Sequence, residues 1–176
     1  PNRAGGVVTR DGDAAPDGLS PYSPEGDQVS MELDPEQQAT VMAMTSMARS
    51  SELSNPGRAA VLATMYAGQR SNLINRTDGA RIGVFGQTPL EGTLNRMNAT
   101  NVRFTIREFY GRLRDVAERM PDWDRRPAVE VIEEMYPEQR GRIGSVGGWE
   151  TLAVAAVADL WGERYAQPGA ALAPFT

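Results

Sequence analysis

Seven apolar residues, Ile106, Phe109, Tyr110, Leu113, Val116, Ala117 and Met120, recur at i, i+3, i+4, i+7, i+10, i+11 and i+14. That spacing lays one apolar stripe along a long α-helix, which Pro121 closes. A stripe of this length must be covered by other elements, and the flanking sequence supplies helices. Asp34-Pro35-Glu36-Gln37 offers an N-cap, a first-turn proline and a capping-box Gln, opening a helix predicted to end near Ser50. Asn55-Pro56 opens a second helix through Ala59, Val61, Leu62, Met65 and Tyr66, with Gly68 expected to weaken its end.

Beyond it, Thr77-Asp78-Gly79 reads as a turn and Arg81 to Gly86 as a short strand or tight loop. Thr88-Pro89-Leu90-Glu91 is a second capping box, opening a short helix through about Met97. Pro127 starts a helix with Val131, Ile132 and Met135 inward, and Pro137 ends it. Gly141, Gly144, Gly147 and Gly148 mark a loop, and Trp149 to Trp161 a last helix. No βαβ rhythm and no tandem repeat is present. The expected fold is mostly α with a small irregular β patch. Residues 1–30 are expected as an extended acidic arm, 31–165 as the helical domain and 166–176 as an irregular tail.

Composition narrows the chemistry. The 176 residues contain no Cys and no His, and all 18 basic residues are Arg. Disulfides, thiol nucleophiles, His-dependent triads and lysine Schiff bases are therefore impossible. What remains is carboxylate chemistry or no chemistry, and no cofactor or metal site is expected. No apolar run approaches the roughly 18 residues of a bilayer span. Residues 1–38 hold eight acids against two arginines, whereas residues 39–176 hold fifteen against sixteen. The body is thus near neutral, which argues against a nucleic-acid partner. The leading segment has four prolines and five glycines before Gln28 and almost no large apolar side chain. It reads as an arm that orders against a partner. A start at Pro1, with no apolar leader, is expected for a product made without a secretory signal, and a trimmed piece fits equally.

Three segments, in order, carry a family resemblance. Ala60-Val61-Leu62-Ala63-Thr64-Met65 is similar to an A-L-A-T-A/M helix that runs into Q-E-S. Ile82-Gly83-Val84-Phe85-Gly86-Gln87-Thr88-Pro89 is similar to L-G-L-F-Q-Q-R-P. Phe109-Tyr110, Leu113, Met120-Pro121-Asp122-Trp123, Pro127 and Met135-Tyr136-Pro137 follow the order F-Y-x-x-L…V-P-G-W…P…S-A-F-P. From Leu33 to Gly162 the chain resembles the lysozyme-like, transglycosylase-type domains of actinobacteria and their phages. The resemblance implies a glycan groove whose general acid is a Glu at the end of the second helix. Here Gly68 stands at that position and Gln69 where the family has Ser. Gly86 replaces the first Gln of the second segment and Thr88 its Arg.

Glycosidic cleavage needs a proton donor at the leaving oxygen, and glycine has no side chain to supply one. Glu52 and Asp78 are the best-placed carboxylates to substitute, ahead of Glu91 and Glu108, whose bland roles are capping and a solvated face. Gln69, Gln87 and Tyr110 are expected to line the vestigial groove, with the Tyr110 hydroxyl on sugar or on a buried partner. Gly68→Glu is expected to return a proton donor, although Gly86 and Thr88 would still differ. Trp123, Trp149 and Trp161 read as core rather than sugar platforms. Asp11 to Gly18 lacks a calcium loop's ligands at its fifth and sixth places. Gly141 to Gly148 lacks the strand and Lys of a phosphate cradle. The ten arginines and nine acids from Arg96 to Arg142 read as a salt-bridged helical surface.

The expected function is that of a non-catalytic lysozyme-like structural protein, located in a phage virion as a minor tail or capsid-associated subunit. Its partners would be other virion subunits, met through residues 1–30 in an oligomeric assembly. The alternatives are a peptidoglycan-cleaving enzyme using a displaced carboxylate, and a non-catalytic peptidoglycan binder of the bacterial envelope.

Overall fold

A computed structural model of the chain describes residues 32–88 and 96–161. The expected arm over 1–30, the start of the capping-box helix after Thr88 and the tail over 166–176 lie outside the described residues. Helix α1 spans Pro35–Arg49 and begins as its sequence dictates. The Asp34 side chain accepts from the Gln37 amide at 2.8 Å, and the Gln37 side chain accepts from the Asp34 amide at 2.9 Å. Gln37 Nε2 also donates to the Asn72 carbonyl at 3.0 Å, pinning the start of α1 to the end of the next helix.

That helix, α2, spans Pro56–Ser71 and is the axis of the fold. Every residue from Gly57 to Ser71 is buried. Its small residues, Ala59, Ala60, Ala63 and Ala67, are fully buried and let neighbouring elements approach on all sides. At its start Asn55 caps the Arg58 amide at 3.0 Å and donates to Asp124 at 3.1 Å. The buried Arg58 guanidinium reaches Glu150 at 2.7 Å and the Arg126 carbonyl at 3.2 Å. Gly68 does not end the helix. α2 runs on to a left-handed cap at Asn72, with φ of 61°, because tertiary contacts hold its last turn. Arg70 and Ser71 donate to carbonyls of the following loop, Phe85 at 3.3 Å, Gly86 at 2.9 Å and Val84 at 2.6 Å.

The expected β patch is this loop. It holds two isolated antiparallel bridges, Arg76 with Gly83 and Ile82 with Gln87, and the described residues contain no longer strand. After α3 (Arg96–Ala99), the long helix α4 runs Val102–Arg119, capped by Asn101 accepting from the Phe104 amide at 3.0 Å. Its predicted stripe is the buried face, Ile106, Phe109, Tyr110, Leu113 and Val116. Helix α5 is Ala128–Met135, and α6 is Glu150–Trp161. The glycine loop before α6 is tighter than expected: Gly144–Trp149 winds as a 3-10 turn that buries Val146 and Trp149. α1, α6 and this turn pack most extensively on α2, with α4 and α5 closing its other sides. An aromatic stack of Phe109, Phe85, Tyr66 and Tyr136 fills the space between α2, α4 and α5. Its neighbouring centroids lie 5.1, 5.6 and 4.7 Å apart. Among the described residues, no helix is long and apolar enough to cross a membrane.

Candidate functional site

The last two turns of α2 hold the positions that the family resemblance singles out. Gly68 sits under the side chain of Trp149. A Cβ added to Gly68 would lie 2.4 Å from Trp149 Cε3 and 2.5 Å from Cδ2, far inside contact distance. Trp149 is itself 1% exposed. The place where the family's proton donor would stand is therefore packed shut by an indole. This corrects the expectation for Gly68→Glu: a carboxylate there would have to displace the core rather than enter an open groove.

The second departure has the same character. Gly86 adopts φ of +53°, and a Cβ on it would meet the Arg70 carbonyl oxygen at 2.7 Å. A Gln at this position would be both strained and in collision. Both altered positions are places where this chain's own packing requires glycine. Thr88 is exposed.

Gln69, the neighbour of Gly68, is fully buried, and neither its amide oxygen nor its amide nitrogen has a hydrogen-bond partner. Gln87 Oε1 is also buried and unpartnered. The two glutamines flank one contact, because Arg70 donates to the Gly86 carbonyl. Unmet amide groups in a core cost about 1–3 kcal/mol each and need an explanation. Tyr110 is not part of this place. Its hydroxyl donates to the Met44 carbonyl at 2.7 Å, tying α4 to α1. Burial pushes the Tyr110 hydroxyl far above its ordinary pKa. Of its two expected roles, the structure shows the buried partner. Tyr110→Phe is expected to cost about 1 kcal/mol by loss of this bond, read as a lower urea midpoint with an unchanged m-value.

The two substitute carboxylates are exposed, whereas Gly68 is buried under an indole. Asp78 is exposed in its turn. Glu52 is exposed in the α1–α2 loop with a left-handed φ of 66°. It borders an open groove of about 380 Å³ with Ser50, Ser51, Arg107 and Arg114 around it and the buried Tyr110 at its floor. Glu52 is the one acid among the described residues lining that groove, whereas glycosidases use two carboxylates facing each other. A larger hollow of about 590 Å³ lies between α1 and α6, where Met42 and Leu160 are exposed.

The expected salt-bridged surface is present in part, and three arginines of α4 stand outside it. Arg119 pairs with Glu134, Arg140 with Glu134, and Arg126 with Asp122 and Glu130. The Asp122 carboxyl is held low by its hydrogen bond from Arg126. Arg103, Arg107 and Arg114 belong to no such network. All three are exposed, and none has a carboxylate partner among the described residues. Arg114 makes one hydrogen bond, to the Ser51 carbonyl at 3.1 Å. Their spacing of i, i+4 and i+11 places them on one line of the helix. That signal was legible, but a balanced total of acids and bases concealed it. Trp123 is core, as expected, at 1% exposure, and Trp161 is half-buried with Arg49 stacked 4.5 Å over its ring. No protein-family model, no curated protein and no solved structure matches this chain.

Proposed function

We propose that this chain is a non-catalytic, lysozyme-like structural protein that works through assembly contacts, as a minor tail or capsid-associated component of a phage virion. The observation that carries the non-catalytic half is Trp149 seated on Gly68, with a Cβ excluded at 2.4 Å. A general acid must project into a site that a saccharide oxygen can reach. Here that direction is occupied by a buried ring. Glu52 and Asp78 are solvent-exposed, and Glu52 is the one acid among the described residues lining its groove, whereas glycoside cleavage uses two facing carboxylates. The assembly half draws on an acidic leading segment that has too little apolar side chain to form a core of its own. The virion assignment follows from the family resemblance by analogy.

Two measurements test this. Purified protein incubated with purified peptidoglycan is expected to release no muropeptides. Release that disappears in Glu52→Gln or Asp78→Asn would make the protein an enzyme and end the reading. Mass spectrometry of purified virions is expected to find the chain at a fixed stoichiometry, and its absence from them would remove the virion assignment. A second reading, a peptidoglycan binder without turnover, sets aside the fully buried Gln69, which is out of a ligand's reach, and draws on the half-buried Gln87, whose Oε1 is unpartnered. It predicts co-sedimentation with insoluble peptidoglycan that weakens in Gln87→Ala.

A further inference from the structure

The arginine row on α4 has geometry, charge and an adjoining groove that the non-catalytic reading does not use. Arg103, Arg107 and Arg114 span eleven residues, or about 16 Å at the α-helical rise. Each is exposed and without a carboxylate partner among the described residues. Between them the row passes the groove of about 380 Å³ floored by Tyr110 and edged by Ser50 and Ser51. The Ser50 and Ser51 hydroxyls donate to the Met47 and Ala48 carbonyls and Glu52 stands on the same edge, so the guanidinium donors of the row are what offers hydrogen bonds to carboxylates. Three like charges on one helix line repel one another, a cost that an acidic occupant removes.

The sequence carries a matching strip. Asp11, Asp13 and Asp17 place three carboxylates within seven residues. An extended chain of that length covers about 20 Å, close to the length of the row. We propose that the α4 row and its groove receive the Asp11–Asp17 segment of a second copy of this chain. The proposal rests on the assembly reading above and specifies its contact. A copy that gives its acidic strip to a neighbour keeps its own row open for the next, so the contact repeats head to tail, as rings and tubes require. Because the row is exposed, the contact is steered by charge and weakened by salt.

The absence of native cysteine permits a direct test. The full chain carrying Ala14→Cys is labelled with a nitroxide and mixed, at low salt, with an isotope-labelled chain that bears no spin label. Amide signals of residues 103–114 in the isotope-labelled copy are expected to lose at least half their intensity. The loss should reverse in 0.5 M NaCl and be absent when the isotope-labelled copy carries Arg103→Gln, Arg107→Gln and Arg114→Gln. Those three side chains are exposed, so this variant is expected to keep its helical circular dichroism. Unchanged signals in the mixture overturn the proposal. So does broadening seen only when spin label and isotope share one molecule, which would assign the row to the chain's own strip. Self-association that persists undiminished in the triple variant overturns the contact while leaving the assembly reading standing. A chain that stays monomeric at all concentrations and is absent from virions removes both.

Discussion

Replacing Gly68 with alanine lowers stability by about 2 kcal/mol, and the same replacement raises it by about 1 kcal/mol once Trp149 has been cut back to alanine. The first figure is the usual cost of forcing a methyl into a filled core. The methyl would sit 2.4 Å from Trp149 Cε3, and the indole, itself 1% exposed, has little room to retreat. The second figure is the ordinary gain of alanine over glycine inside a helix, released when the obstacle is gone. Trp149→Ala alone is expected to cost about 3–5 kcal/mol. The double-mutant cycle then gives a coupling near 3 kcal/mol between Gly68 and Trp149, measured by urea unfolding. Gly68→Ala that is neutral or stabilising in the parent chain would show that the indole does not hold this position. The functional account would lose its main support with it. Gly68→Glu is expected to be worse than alanine and to release no muropeptides.

The protein is also expected to unfold in a single step between about pH 10 and pH 12, driven by three tyrosines. Burial raises the Tyr66 hydroxyl from its ordinary value of 10.0 to about 12, against a lowering pull from Arg70. Burial raises Tyr136 well above 10.0 as well, and Tyr110 further still. In each case the folded state holds its proton more tightly than the unfolded chain. The stabilisation is complete below pH 10 and is lost as the unfolded chain ionises above it. Each tyrosine contributes a slope of about 1.4 kcal/mol per pH unit, so three together give about 4 kcal/mol per unit. Two such units remove about 8 kcal/mol, enough to unfold a domain in the lower half of the usual range of about 5–15 kcal/mol. In a chain carrying Tyr22→Phe and Tyr165→Phe, tyrosinate absorbance should stay flat and then rise together with the loss of helical circular dichroism. Absorbance that rises around pH 10 while the helices persist would show that these hydroxyls are open to water.

These two results bear on one question: whether the centre of the fold is a closed core or a groove. Phe109, Phe85, Tyr66 and Tyr136 stack continuously through it, and Trp149 seals the neighbouring side of α2. An enzyme of the resembled kind keeps this region open to a polymer. In this chain the region is a closed core, and the exterior of α4 and the groove beside Glu52 are exposed.

Much of the fold was legible locally. The capping box at Asp34, the Asn55-Pro56 start, the apolar stripe of α4 and the breaks at Pro121, Pro127 and Pro137 all lie where the structure has its helix ends. Caps, prolines and a 3.6-residue period act within a few residues, so the chain itself specifies them wherever it is placed. The aromatic identity of Trp149, and its place after a glycine-rich run, were equally visible.

What tertiary structure alone decided is which distant groups meet. Helix α2 shows no clean polar face, and only the elements arriving from all sides explain why every residue from Gly57 on is buried. Gly68, taken locally, is a weak point near a helix end. It became an interior contact because a residue from the far end of the chain sits on it. Arg103, Arg107 and Arg114, taken by composition, were neutralised by nearby acids, yet Asp122, Glu130 and Glu134 pair with Arg119, Arg126 and Arg140 instead. Local propensity sets where a helix begins and ends. Whether a glycine marks a lost active site or a packing contact depends on the atoms that arrive above it, and no stretch of neighbouring residues contains them.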